Sequence, residues 1–152
     1  MSIEHYEQAI HRFCEAQGLD DPHFLLRGGL LSIDGHPLRI EFLEVIERCR
    51  VTVDLGPPPA AAELACCRLL LEFNHRSGGL HCPVMSLRPK TGHIELSMHL
   101  ESSELVDAAV LGEVIEHHLG DIVDDWEAAL DELQGPPAAG EREAKFPMSA
   151  QR

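Results

Sequence analysis

Aromatic residues are scarce, only 5% of the 152 residues, with one Trp and one Tyr. Leu, Ile, Val and Ala must therefore fill the core, and an apolar fraction of 44% suffices for one. Basic residues are also few: 12 Lys and Arg stand against 26 Asp and Glu, a formal net charge of -14. A surface this negative repels phosphate backbones and anionic lipid, so we expect neither nucleic acid nor membrane as a partner. Cationic or neutral polypeptides remain. No uncharged run is long enough to span a bilayer. The opening MSIEHYEQAI lacks the basic flank and apolar stretch of a signal peptide. The five cysteines, Cys14, Cys49, Cys66, Cys67 and Cys82, are odd in number and show no CxxC spacing. That pattern fits buried thiols in a reducing compartment better than a disulfide framework, so a cytoplasmic protein is expected. The length suits one domain, and no repeat of solenoid period is present.

Catalytic signatures are missing too. The glycine pairs Gly28-Gly29 and Gly78-Gly79 lack the Lys-Ser/Thr of a phosphate-binding loop. Neither a GxSxG elbow nor an HExxH zinc motif occurs. Ten histidines offer two candidate metal groupings: Glu113, His117 and His118, and His75, His81, Cys82, His93 and His99. Neither has a known ligand spacing, so no metal and no other cofactor is expected. The adjacent Cys66 and Cys67 read as small apolar packers. The carboxylates from Asp121 to Glu132 read as a solvated helix face. No catalytic residue is assigned.

The apolar periodicity outlines the elements. Ile3, Tyr6, Ile10 and Phe13 recur at helical spacing between a capping Ser2 and a closing Gly18. Leu30, Leu31 and Ile33 precede the tight-turn dipeptide Asp34-Gly35, after which Leu38, Ile40 and Phe42 alternate with polar residues. Cys49, Val51, Val53 and Leu55 alternate in a third strand, broken by Gly56 and Pro57-Pro58-Pro59. A helix from Ala60 to about Phe73 is apolar almost all round: Leu64, Cys67 and Leu71 lie on one side, and Leu69, Leu70 and Phe73 elsewhere. Such a helix is buried on more than one side. Either it sinks into the monomer core, or one face meets its own sheet and the other a second subunit; we prefer the second reading. A hairpin follows, its first strand holding Val84, Met85 and Leu87 behind Pro83, which marks an edge or a bulge. Its second strand is Ile94 to Leu100. Ser103 is expected to cap a last helix whose apolar face runs through Leu111, Ile115, Ile122, Trp126 and Leu133, with a kink near Gly112 or Gly120. Residues 135–152 show no periodicity and read as a disordered tail after a domain of residues 1–134.

The run LLLEFN (Leu69 to Asn74), the glycine-pair loop, the hairpin ending in IELSMHL and a final helix carrying DDWEAAL together resemble the type III secretion chaperones of class I, the CesT/SycE-like family. VTVDLG before a proline-rich helix start adds to the likeness, which covers about residues 3–133. The resemblance implies an α+β fold of helix, three strands, helix, two strands, helix: a twisted antiparallel sheet packed by helices, in a homodimer. It implies a non-enzymatic, nucleotide-free chaperone that binds the N-terminal chaperone-binding segment of a secreted effector and is stripped off by a secretion ATPase. An extended guest adds a strand to a sheet edge and sinks side chains into apolar grooves. The candidate effector-binding residues are Ile3, Tyr6, Ile10, Leu31, Ile33, Leu38, Ile40 and Phe42; each taken singly also suits ordinary core. Candidates for the dimer interface are Leu64, Cys67, Leu71, Pro83, Val84, Met85 and Leu87. Two other readings stay open: a YbjN-like binding or regulatory module of the same fold, and a small metal-dependent enzyme using the His/Cys groupings.

Overall fold

The structure, a computed structural model, describes residues 2–77, 82–101, 103–105 and 108–135. Helix α1 (Ile3–Gln17) starts where the Ser2 side chain accepts the His5 N–H at 3.3 Å and ends at Gly18, whose φ of 67° is left-handed. Tyr6, Ala9, Ile10, Phe13 and Cys14 are its buried stripe. A five-residue helix α2 (Pro22–Leu26), not foreseen from periodicity, comes next. Asp21 caps it by accepting the Phe24 N–H at 3.2 Å, and Pro22 opens it. The chain then doubles back over α2 so tightly that a Cβ on Gly29 would sit 2.5 Å from the Phe24 ring.

Five strands form one antiparallel sheet: β1 (Leu30–Ile33), β2 (His36–Leu43), β3 (Arg48–Gly56), β4 (Val84–Leu87) and β5 (Ile94–Leu100), in the order β1-β2-β3-β5-β4. Asp34 and Gly35, with φ of 48° and 85°, make the two-residue turn that pairs Ile33 with His36. The period of two puts Leu38, Ile40, Cys49, Val51, Val53, Leu96, Met98 and Leu100 on one face, where all are buried. Helix α1 and the C-terminal helices complete that core. Arg39, Glu41, Arg50, Thr52, Asp54, Glu95 and Ser97 line a shallow hollow on the opposite face.

After a single 3-10 turn (Ala60–Ala62), helix α3 (Glu63–Arg76) buries Cys66 and Leu70 and leaves Leu64 and Leu71 outside. The C-terminal helix departs from expectation at its start. Ser103 lies in a turn, not at a cap, and α4 (Ala108–Glu113) begins later. A π-helical stretch (Val114–Leu119) then runs into α5 (Gly120–Gln134). Wider i→i+5 turns insert extra residues and rotate the helix downstream of them. The buried series is therefore Leu111, Ile115, Leu119, Val123 and Trp126; Ile122 is only partly buried and Leu133 is exposed. The glycine pair Gly78-Gly79 and the tail from 136 lie outside the described residues. Among those described, no helix is long and apolar enough to cross a membrane.

Candidate partner-binding surface

A sheet with two free edges offers two places for a guest strand, and the residues beside each edge decide which is open. At the β4 edge, the Asn74 amide on α3 donates to the Met85 carbonyl and accepts the Met85 N–H, both at 2.9 Å. Asn74 thus takes the place of a neighbouring strand. Antiparallel pairing alternates, so Pro83, Met85 and Leu87 present their backbone outward here. Pro83 has no N–H to offer, Met85 is taken, and only Leu87 keeps both its donor and its acceptor.

The other edge is more open, although its Ile40 carbonyl is taken by a side chain of α1. β1 has four residues and β2 has eight, so β2 runs past its neighbour from Ile40 onward. By the same alternation, Leu30 and Ser32 of β1, and Ile40 and Phe42 of β2, face away from the sheet. The Tyr6 hydroxyl donates to the Ile40 carbonyl at 3.2 Å. Burial, aided by Cys49 and Glu41, holds that phenol far above its ordinary range, so it remains a donor. The Tyr6 ring stacks on Phe42 with centroids 5.6 Å apart. Around them opens a notch of about 260 Å³, walled by Ile3, Tyr6, Leu26, Ile40 and Phe42 and rimmed by Glu7, Glu41 and Glu44.

Of the eight residues singled out for effector binding, the structure brings Ile3, Tyr6, Ile40 and Phe42 into this notch. Ile3 is 49% exposed. Ile10, Ile33 and Leu38 are core residues because their positions on α1, β1 and β2 point inward; Leu31 is partly buried against the same core. Leu26, Glu7 and Glu44 were not anticipated. Leu26 arrives through α2, which only the Asp21-Pro22 start signal betrays.

On the far side of the molecule α3 runs beside β4. Leu64 and Leu71 are 71% and 66% exposed, and Val84 and Leu87 also lie open. Cys67 and Pro83 are half-buried. Met85 is interior, because it faces the core with its register partner Leu96.

The open face of the sheet carries paired charges. Arg50 donates to Glu41 at 2.8 Å, Arg88 reaches Glu95, and Asp54 meets His93 at 2.9 Å and Arg88 at 3.7 Å. At its floor the Thr52 hydroxyl is buried without a partner. Among the described residues no three His, Cys, Asp or Glu side chains gather closely enough to hold a metal; His81 of the second grouping lies outside the described residues. All five cysteines are free; Cys82 is exposed and Cys67 half-buried. Burial and the nearby Glu41 push the Cys49 thiol up to about 12, which leaves it protonated.

The model of the Tir chaperone protein (CesT) family matches residues 8–124, and the chain belongs to that family. The sequence resemblance is borne out in the same terms. The fold is also that of a chain in the solved HopA1-SchA chaperone-effector complex, with a TM-score of 0.61 at 15% identity, covering 84% of this chain and 98% of that one. No curated protein matches.

Proposed function

We propose that this chain is a type III secretion chaperone that holds the N-terminal segment of a secreted effector in extended form at the β1/β2 edge. It does so as a homodimer in the cytoplasm, uses no nucleotide, catalyses no reaction and surrenders its guest to the secretion ATPase. One observation carries the reading: the uncovered half of β2 lies directly beside the apolar notch. A guest strand there gains backbone hydrogen bonds from β2 and places alternate side chains on Ile3, Tyr6 and Phe42. The acidic rim of Glu7 and Glu44, beside a Glu41 already paired with Arg50, favours a guest with basic residues flanking its apolar ones. Family membership supports the same reading. Leu64, Leu71, Val84 and Leu87, with Cys67 and Pro83 beneath them, form the proposed contact between two copies.

The test is co-expression with candidate exported proteins, mapping of the protected guest segment, and titration of that segment against Phe42→Asp. The substitution is expected to weaken binding roughly thirtyfold, the effect of losing one aromatic anchor. Phe42→Asp also loses the stack on Tyr6 and some stability with it, whereas Ile3→Asp, at a 49% exposed site, should keep the unfolding midpoint close to that of the parent. Full affinity in both Phe42→Asp and Ile3→Asp would place the guest elsewhere.

A further inference from the structure

The open stretch of β2 is short. β1 stops pairing where Leu30 meets Arg39, so only Ile40 to Leu43 overhang. Beyond them the chain turns, and the Ile46 N–H donates to the Leu43 carbonyl at 3.3 Å. The other end of the overhang is closed as well. The Gly28 and Gly29 N–H groups donate to the Leu25 and Phe24 carbonyls at 2.9 and 2.8 Å, so the chain ahead of β1 follows α2 and leaves β2. Of the two overhanging residues that face the gap, Ile40 has given its carbonyl to the Tyr6 hydroxyl. Phe42 keeps both its N–H and its C=O for a guest.

A ladder this short carries few backbone bonds, and backbone bonds do not distinguish one guest from another, so selection falls to side chains. Residues directly across a strand pair share a face. The guest residue across from Phe42 therefore points to the core side, into the notch of about 260 Å³ between Ile3, Tyr6 and Leu26. The guest residue across from Leu43 points to the open face instead. The next one, across from Glu44, returns to the core side and meets the rim, where Glu7 and Glu44 are both exposed.

We infer that Tyr6 sets the register of the guest: its hydroxyl ends the ladder at Ile40, so the guest presents one large apolar residue across from Phe42 and a Lys or Arg two positions away, across from Glu44. This rests on the guest edge proposed above and narrows the substrate class to extended segments carrying that pair. The Tyr6 ring, stacked on Phe42, receives the apolar side chain, while the hydroxyl shuts out the register in which that side chain lies across from Ile40.

The probe is the segment of a co-expressed exported protein that survives limited proteolysis on the full-length chain, made as a synthetic peptide. Changing its residues to Asp one at a time should reveal a single dominant apolar position, worth roughly thirtyfold in Kd. Glu44→Lys, in an exposed turn, is expected to weaken the peptide about tenfold at low salt, and replacing the basic residue two positions from the anchor by Glu should restore affinity to within about threefold. A peptide whose apolar residue stands four positions from the basic one should bind the parent about tenfold more weakly than the original. Tyr6→Phe keeps the ring and frees the Ile40 carbonyl, so this ratio should fall to about twofold. Lost stability alone weakens both peptides alike and leaves the ratio where it was. A ratio unchanged in Tyr6→Phe would overturn the role of Tyr6. Several apolar positions of equal weight, or no rescue across Glu44, would overturn the pairing of one anchor with one basic residue. Each of these can fail while Phe42→Asp and Ile3→Asp still lose the guest, so the register and the edge itself are judged separately.

Discussion

The two edges of the sheet are treated in opposite ways by the same chain. At β4 a proline removes a donor and Asn74 satisfies both backbone groups of Met85, so a foreign strand finds almost nothing to pair with. At β1 and β2 the backbone is open over Leu30, Ser32 and Phe42, and an apolar notch lies alongside. The difference is one of side chains, since both edges belong to the same antiparallel ladder. It teaches that the fold alone does not choose the guest edge. Asn74 and Pro83 close one side, and the shortness of β1 opens the other. The closed side also carries the exposed Leu64 and Leu71, so it offers a side-chain contact to a second copy without inviting strand exchange.

The largest effect is expected at that contact. Leu71→Asp removes from each copy a leucine that the proposed dimer would bury and introduces a charge in its place. Two such losses, at roughly 2 kcal/mol each, weaken self-association by about a thousandfold. Light scattering and sedimentation should show monomers or aggregates at micromolar concentration. A soluble dimer of ordinary stability would move the interface away from α3.

Next in size is Asn74→Ala. It leaves the Met85 N–H and C=O unmatched and detaches β4 from α3, with an expected loss of about 2–3 kcal/mol in urea unfolding. The freed edge should also promote association by strand pairing. Asn74→Asp keeps the acceptor and loses the donor, so it should fall between Ala and the parent. If Ala and the parent unfold together, the amide is not what closes this edge.

Much of this contrast is readable in the residues. Alternation along β2, β3 and β5 marks the buried face directly, Asp34-Gly35 sets the first hairpin, and Pro83 marks β4 as an edge. The two apolar sides of α3 appear in the sequence as a helix without a single stripe, and the structure separates them into Cys66 and Leu70 within and Leu64 and Leu71 without. What the pattern hides is phase and depth. The π-helical stretch shifts the C-terminal series from Ile122 to Val123, which no local preference announces. Helix α2 is too short to show a period, so Leu26 is missed at the notch. Ile10, Leu38 and Ile40 are as apolar as Ile3 and Phe42, and only packing tells which of them reach the surface. The role of Asn74 depends on a contact eleven residues away, with a backbone that no motif identifies.

The smallest expected effect lies between the two edges, on the open face, and tests whether the contrast is local to them. Burial alone would raise the Asp54 carboxyl. The Gly56 N–H at 2.9 Å, His93 and Arg88 outweigh it and hold the group below its ordinary value. A depressed carboxylate contributes stability that is complete above its unfolded pKa of about 4 and is lost as pH falls through the folded value. Asp54→Asn should therefore be less stable than the parent by about 1 kcal/mol at pH 6, and the gap should close in acid. His99 adds its own pH dependence, because burial and the nearby Arg50 and Arg48 lower its pKa. That contribution is common to both proteins and cancels in the difference between them. Guest binding and self-association should be unchanged in Asp54→Asn, since Asp54 lies on a central strand and touches neither edge. A loss of guest affinity in this variant, at unchanged stability, would mean that the open face takes part in binding and that the two edges do not divide the work between them.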